Sequence, residues 1–415
     1  MEKKVFFHVD VNSAYLSWEA VRRLKIDPKS QDIRQIPSVI GGDPNRRSGI
    51  VLAKSSPAKD FGIKTGENLC TAFRKCPHLK VYPADFDLYI ECSKNMIGLL
   101  KEFSPDVYQY SIDEAFVDMT GMERLFGEPC FAADLIRHRM KEDLGFTVNV
   151  GVSDSMVLAK MAGDFSKPDK THIMYRNEIQ EKMWPLPINN LFFVGRKTSN
   201  KLKRLGVYTI GDLATLEEKF VYRHLKKQGL IIHRHANGLD GYDFFHIKQK
   251  DKSIGNSTTT SYDICDYENA RHLILSLTET VCARLRHKKL KAGLVSIELV
   301  DMNFNRKSSQ KKLVYKTDCV SKIYECACQI FLDIWDNVPI RHIGVSLAKV
   351  SKDDHMQLSL FEENKSKEIL LYSAIDDIRD KYGEDSIKRA GFLCGNISHM
   401  EGGTSKNKKN GIVYL

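Results

Sequence analysis

The chain has 415 residues, with 63 Lys and Arg against 53 Asp and Glu, a formal net charge of +10, and 42% hydrophobic residues. At roughly 100–200 residues per domain that is about two to four domains, with apolar side chains enough for several cores, which excludes a disordered chain, a coiled coil and a disulfide-held miniature. No apolar run approaches the roughly 18 residues that cross a bilayer, and the first ten residues read as a strand rather than a signal peptide, so a cytoplasmic protein with no membrane partner is expected.

Residues 4–11 form an apolar run rich in aromatic and β-branched side chains, the signature of a buried strand. Asn12 then opens a helical pattern, with Ala14, Leu16, Ala20, Val21 and Leu24 near helical spacing. A short strand is expected at 49–53 and a helix at 85–103. Strands follow at 107–110 and 115–119, joined through Ser111-Ile112-Asp113-Glu114. A helix at 131–144, a strand at 147–152 and a helix at 155–165 complete this part. Strands and helices alternate without a strict βαβ repeat, so the fold class read here is α+β and multidomain, with an antiparallel component.

Between 176 and 240 the strand signals vanish and short helices dominate. Phe193-Val194-Gly195-Arg196-Lys197-Thr198 and Leu205-Gly206-Val207 outline a helix, a turn and a second helix. Residues 241–252 read as a tether. From 253 to 350 the expected order is strand, helix, strand, strand, helix, strand, with strands at 257–262, 294–299, 313–316 and 344–350 and helices at 268–286 and 321–335. Beyond 350 the chain is polar. Gln357-Leu358-Ser359-Leu360-Phe361 stands alone in it, a helix is expected at 368–382, and the Gly/Lys/Asn-rich remainder is not expected to fold.

The positive charge is clustered. Ten Lys and Arg lie between Arg284 and Lys316, opposed only by Glu298 and Asp301, and five lie between Arg196 and Arg204 with no acid among them. Two such clusters favour a nucleic acid, whose binding would weaken steeply with salt; the sheet of residues 253–350 is expected to carry the larger cluster on its outer face. None of the ten cysteines has C-x-x-C spacing, which favours reduced thiols over structural zinc.

Asp10 ends the first strand, and Asp113-Glu114 lies between two others. Carboxylates at strand ends suit hard divalent cations such as Mg²⁺, and a pair of ions about 3.5–4 Å apart would clamp the attacking and leaving oxygens of a phosphoryl transfer. The same residues are also what a turn and a helix cap use. Lys54, Lys59 and Lys64 near Gly62, and Lys167 before Pro168, are point charges able to hold a triphosphate.

Three blocks make the reading specific: His8-Val9-Asp10-Val11-Asn12-Ser13-Ala14-Tyr15, Tyr110-Ser111-Ile112-Asp113-Glu114-Ala115-Phe116, and Val150-Gly151-Val152-Ser153 through Lys160 to Lys167-Pro168. In type, order and spacing they resemble the Y-family, or translesion, DNA polymerases. The resemblance implies a right-hand polymerase with a palm at 1–15 and 79–175, fingers at 16–78, a helix-hairpin-helix thumb at 176–240, a linker at 241–252, a little finger at 253–350 and a tail at 351–415. It implies error-prone synthesis from dNTPs on primer–template DNA. Asp10, Asp113 and Glu114 would be the catalytic carboxylates, holding two Mg²⁺ ions together with the backbone carbonyl of Val11. Tyr15 would be the steric gate against ribonucleotides, and Lys59 and Lys167 would grip the phosphates. Ser56 stands where the family has a tyrosine, and Lys59 where it has arginine, which implies a weaker nucleotide grip. Gly195, Arg196, Lys197, Thr198 and Lys201 would meet DNA from the thumb, although Phe193 replaces the first glycine of the family's Gly-Ile-Gly. Arg284, Arg286, Lys288, Lys289, Arg306 and Lys307 would meet it from the little finger. Gln357, Leu358, Leu360 and Phe361 resemble a sliding-clamp docking peptide. The helix at 368–382 either packs on the core or binds a partner such as a recombinase filament or accessory subunit. A catalytically weak DNA- and clamp-binding scaffold, and a different two-metal enzyme such as a nuclease, remain as alternatives.

Overall fold

The computed structural model describes residues 4–42, 49–240, 251–352, 365–393, 397–400 and 402. The first strand, β1 (Phe6–Val11), is buried at all six positions. That is why it reads as a continuous apolar run and why it lies at the centre of a sheet. Ser13, in the left-handed region at φ 49°, turns the chain into α1 (Ala14–Ile26). A small three-stranded sheet follows, built from β2 (Ser38–Gly41), β3 (Val51–Lys54) and β4 (Lys80–Pro83) in the order β3-β2-β4, with α2 (Ser56–Asp60) and α3 (Leu69–Lys75) inserted between β3 and β4. It has its own core of Val39, Val51, Ile63, Leu69 and Leu79.

The chain returns through α4 (Phe86–Leu100), β5 (Val107–Gln109), β6 (Glu114–Asp118), α5 (Glu123–Phe126), α6 (Pro129–Arg139), β7 (Val148–Ser153), α7 (Met156–Gly163) and β8 (Thr171–Ile173). Five strands make the main sheet, ordered β5-β6-β1-β7-β8. Strand β1 is antiparallel to both β6 and β7, as the irregular alternation of elements predicts, while β7 and β8 run parallel. Helix α7 lies unusually close to the sheet at Gly151, where a Cβ would stand 1.9 Å from the Ala159 carbonyl oxygen.

Four helices follow: α8 (Ile179–Lys182), α9 (Arg196–Arg204), α10 (Ile210–Ala214) and α11 (Glu218–Ala236). Their core of Leu191, Leu202, Ile210, Leu213 and Ile232 is shared with Val157, Leu158 and Met161 of α7. The Asp240 carboxylate accepts hydrogen bonds from the Ser155 hydroxyl and the Val157 amide, both 2.9 Å, and so ties the end of this section to the start of α7.

The last sheet comprises β9 (Ser253–Ile264), β10 (Ala292–Asp301), β11 (Arg306–Thr317) and β12 (Ile340–Ala348), all antiparallel in the order β11-β10-β12-β9. Helices α12 (Tyr267–His287) and α13 (Val320–Ile334) pack on it with one core. The expected order of elements holds, but β11 extends far beyond 313–316, because Arg306–Lys312 is polar on both faces and shows no apolar alternation. The outer-face expectation needs correction. Arg284, Arg286, Lys288 and Lys289 lie at the end of α12 and in the turn after it, not on the sheet. Along β11, Lys307 bonds to Asp336 and Lys311 to Gln329 of α13, so these side chains face the helical side, while Arg306 pairs with Glu298 on the other. A run of basic residues is split because alternate positions of a strand face opposite ways.

A helix stands where one was expected at 368–382, and the described residues after it are more ordered than their composition predicts. Helix α14 (Lys365–Tyr382) packs against the last domain, and Tyr372, Phe392 and Ile397 join its core. Arg286 makes two bonds to the Asp376 carboxylate, 2.6 and 3.0 Å, and lies over the Tyr372 ring, so it is held under α14. The Glu279 carboxylate, nearly buried, meets Arg379, Arg389 and His399. Burial alone would raise its pKa; His399 and the two guanidinium groups outweigh that and hold it at about 2. Glu279→Ala would leave the buried Arg379 without its countercharge. It is expected to loosen the docked segment by about 3 kcal/mol, read as faster proteolysis within residues 365–400. Because the folded pKa lies below the ordinary 4.5, this contribution is present above pH 4.5 and is lost as pH falls toward 2. Residues 241–250 of the expected linker and the peptide Gln357–Phe361 lie outside the described residues. Among those described, no helix is long and apolar enough to cross a membrane.

Candidate active site and nucleic-acid interface

Asp10 and Glu114 are direct partners across the β1–β6 ladder, and Asp113 immediately precedes β6. The Val11 amide donates to the Asp113 carbonyl at 3.0 Å, and the amides of Tyr110 and Ser111 donate to the Glu114 carbonyl. A tight turn thus sets three carboxylates at neighbouring strand ends. The side chains do not close around one point: among the described residues no three His, Cys, Asp or Glu do so. Instead each has its own partner. Asp10 is bonded to the Lys167 ammonium, Glu114 to the Lys160 ammonium, and Asp113 accepts from the Ser111 hydroxyl at 2.7 Å.

The electrostatics follow from burial. Desolvation pushes the pKa of Asp10 up despite the ammonium groups of Lys167 and Lys160, and pushes Asp113 up despite the Ser111 hydroxyl. Glu114 is also desolvated, but the His8 ring, 3.9 Å away, and the Lys160 ammonium hold it at about 2. His8 itself is buried against Phe116, with ring centroids 4.8 Å apart, and burial lowers its pKa. Desolvated carboxylates crowded at one edge stabilise cations, and hard oxygen donors at strand ends match the chemistry of a divalent ion. Two lysines fill that electrostatic role in this structure.

Lys160 projects from α7, and its reach to Glu114 depends on the close packing at Gly151. Sequence reading placed Lys160 in a motif but offered no sign of this pairing. The Lys167 loop is held by a second network that the sequence did not reveal. The Asn12 side-chain oxygen accepts from the Asp169 amide and the Thr147 hydroxyl, and the Asn149 side-chain amide donates to the Ser166 carbonyl at 2.7 Å.

Tyr15 is the second residue of α1, half-buried and stacked on Tyr89, with centroids 4.6 Å apart and an interplanar angle of 18°. Phe86 and Trp18 pack at its edges. On α2, Ser56 and Lys59 are exposed, and burial together with the Lys59 charge lowers the pKa of nearby Lys54. These residues belong to the small sheet rather than to the carboxylate cluster.

The turn before α9 carries Gly195 as helix cap, with Arg196, Lys197 and Lys201 exposed and Thr198 half-buried. Lys201 donates to the His224 carbonyl. Phe193 lies in the left-handed region at φ 69°, which costs a non-glycine residue roughly 1–2 kcal/mol. In the last domain, Arg284 donates to the Gly255 carbonyl, Lys288 pairs with Asp251, and Lys289 is exposed at φ 52°. Arg306 is 75% exposed and Lys307 46%, so both remain accessible beside their carboxylate partners, whereas Arg286 does not.

Three comparisons bear on this geometry. The sequence matches the impB/mucB/samB family over residues 9–164, the IMS family HHH motif over 176–207 and the C-terminal domain of the impB/mucB/samB family over 251–360. It is 42% identical over 391 residues to DNA polymerase IV of Clostridium acetobutylicum, covering 94% of this chain and 98% of that protein. It is 33% identical over 402 residues to DNA polymerase IV 2 of Bacillus subtilis (strain 168), covering 95% of each. Its fold resembles a solved Y-family DNA polymerase chimera of Dbh and Dpo4, with a TM-score of 0.72 over 84% of this chain and 100% of that one at 20% identity.

Proposed function

The chain belongs to the impB/mucB/samB family and is a Y-family, DNA-directed DNA polymerase; from that premise we propose that it carries out error-prone translesion synthesis, with chemistry centred on Asp10, Asp113 and Glu114. Family membership brings primer–template DNA and dNTPs as substrates and a dependence on divalent metal. The observation that carries the site assignment is the cross-strand pair Asp10 and Glu114 with Asp113 beside it, desolvated and compensated by lysine ammonium groups. The donor set fits two Mg²⁺ ions held by the three carboxylates and the Val11 carbonyl. When bound, these ions neutralise charge on the transferring phosphoryl group and on the primer 3′-oxygen.

The chain's own residues do the rest. Asp10 and Asp113 bridge the strands at the point where the triphosphate and primer meet. Glu114 stays ionised, held by Lys160, and orients the primer terminus. Lys167 and Lys59 grip the triphosphate, with Lys167 exchanging its Asp10 partner for phosphate oxygens. Catalysis is then positioning and charge compensation. The small side chains of Ala53, Ser55 and Ser56, of which only Ser56 is exposed, suit a roomy pocket over the nascent pair and so damaged templates. Arg196, Lys197 and Lys201 of the thumb, with Lys289, Arg306 and Lys307 of the little finger, track the duplex backbone. The peptide Gln357-Leu358-Ser359-Leu360-Phe361 docks on a sliding clamp, through two apolar anchors and a glutamine, and gains by tethering. The setting is cytoplasmic DNA damage tolerance.

Primer extension on undamaged and lesion-bearing templates, with Mg²⁺ and each dNTP, tests this reading. Extension past a lesion supports it; degradation of the primer without dNTP, or binding with no extension, would sink it. The gate has its own test. The Tyr15 ring is braced on one face by Tyr89, so it cannot easily yield to a 2′-hydroxyl. Tyr15→Ala is expected to raise incorporation of ribonucleotides relative to deoxyribonucleotides by about 10²-fold while dNTP extension persists, measured as the ratio of kcat/KM for the paired nucleotides. An unchanged ratio removes Tyr15 from the gate.

A further inference from the structure

We propose that Phe193 contacts DNA directly, its exposed ring lying against a deoxyribose of the strand whose phosphates Arg196 and Lys197 hold. The inference rests on the reading of α9 as DNA-facing and adds an apolar contact to it. Phe193 is 45% exposed. One side of its ring is braced by Phe192, at 4.3 Å between centroids, and by the buried His235 at 5.5 Å. The other side is open, next to Gly195 and a first helical turn that carries Arg196 and Lys197 and no acid.

Three features point the same way. The backbone at Phe193 is left-handed, at φ 69°, a conformation that glycine adopts without strain. A large ring kept there against strain calls for a role of its own. That ring is rigidly presented rather than tucked away, since Phe192 and His235, themselves stacked at 17°, form a platform behind it. Finally, the platform leads to the chemistry: Phe192 packs edge-on to Tyr110 at 5.9 Å, and Tyr110 precedes the turn that carries Asp113 and Glu114. An aromatic ring interleaved with Arg and Lys suits a nucleic-acid strand, with cations for phosphates and an apolar face for sugar or base. A contact at this point would hold the duplex in register with the carboxylates.

The test uses the full chain and the variant Phe193→Gly, which removes the ring and relieves the backbone, with Phe193→Tyr as the conservative control. Primer–template affinity is measured by fluorescence anisotropy across a salt series, alongside thermal unfolding. The expected result is about fivefold weaker binding for Phe193→Gly, the equivalent of about 1 kcal/mol. Its salt slope should be unchanged, because no cation is lost, its melting temperature should be equal to or above wild type, and Phe193→Tyr should restore affinity. Unchanged affinity in Phe193→Gly overturns the proposal. So does weaker binding accompanied by a lower melting temperature or a shallower salt slope, since either outcome would make the ring a brace for α9. Wild-type primer extension on the same preparation separates the two readings: its absence would defeat the polymerase assignment and leave the binding comparison standing.

Discussion

Asp113→Ala and Glu114→Ala are each expected to lower Mg²⁺-dependent primer extension by at least about 10³-fold while leaving primer–template affinity within about twofold of wild type, in line with the loss of a preorganised charge at the reacting centre. Asp113 is desolvated and accepts from the Ser111 hydroxyl, with the Lys160 charge a lesser influence. Its carboxylate is therefore less well compensated than those of Asp10 and Glu114, each bonded to a lysine ammonium. Glu114 differs. It is bonded to Lys160, a buried ammonium, so truncating it also strands that charge. Glu114→Gln, which keeps the shape and loses the charge, distinguishes loss of catalysis from loss of fold. Asp113→Ala should melt at or above the wild-type temperature, Glu114→Ala below it. Robust extension by either alanine variant would end the assignment of these carboxylates. The DNA-binding half of the prediction is as important, since neither residue belongs to α9 or β11, whose exposed basic side chains are proposed to hold the duplex.

Gly151→Ala is expected to be the most damaging single methyl in the main five-stranded sheet. Its Cβ would stand 1.9 Å from the Ala159 carbonyl oxygen and 2.5 Å from the Gly163 amide nitrogen. Both neighbours are helix backbone, so no side chain can swing aside; α7 itself must lift from the sheet. Overpacking of this kind costs about 3 kcal/mol, and here it acts on the helix that carries Lys160 and shares the core of the helical section. The expected outcome is a lower melting temperature together with loss of primer extension that added dNTP does not restore. A fully stable, fully active Gly151→Ala would show that the close approach is dispensable.

The carboxylates and Gly151 mark the boundary between local and long-range information. Asp10, Asp113 and Glu114 were legible as candidates because a buried strand ending in a carboxylate is a local pattern, and so was the Asp-Glu pair between two short strands. The antiparallel character of the main sheet was legible too, from the irregular order of its elements. Gly151 was not: nothing in Val150-Gly151-Val152 says that the backbone of Ala159, eight residues on in α7, lies against it. The basic run from Arg284 to Lys316 reads as one patch, yet its members part between the end of α12, the two faces of β11 and a contact beneath α14. The helix at 368–382 was legible, whereas the stretch after residue 382 reads as unfolded, yet Phe392 and Ile397 dock there with Tyr372 of α14 where Glu279 gathers its cations.

The amino-acid sequence by itself determined the class of chemistry, the order of elements and the family, because catalytic motifs and hydrophobic periodicity are written in neighbouring residues. Only the tertiary structure decided which charges meet. Lys167 reaches Asp10 and Lys160 reaches Glu114 across 157 and 46 residues, and Arg286 is claimed by Asp376 across 90. Such pairings depend on strand register and helix packing, which arise from burial summed over whole elements and leave no mark in the residues that meet.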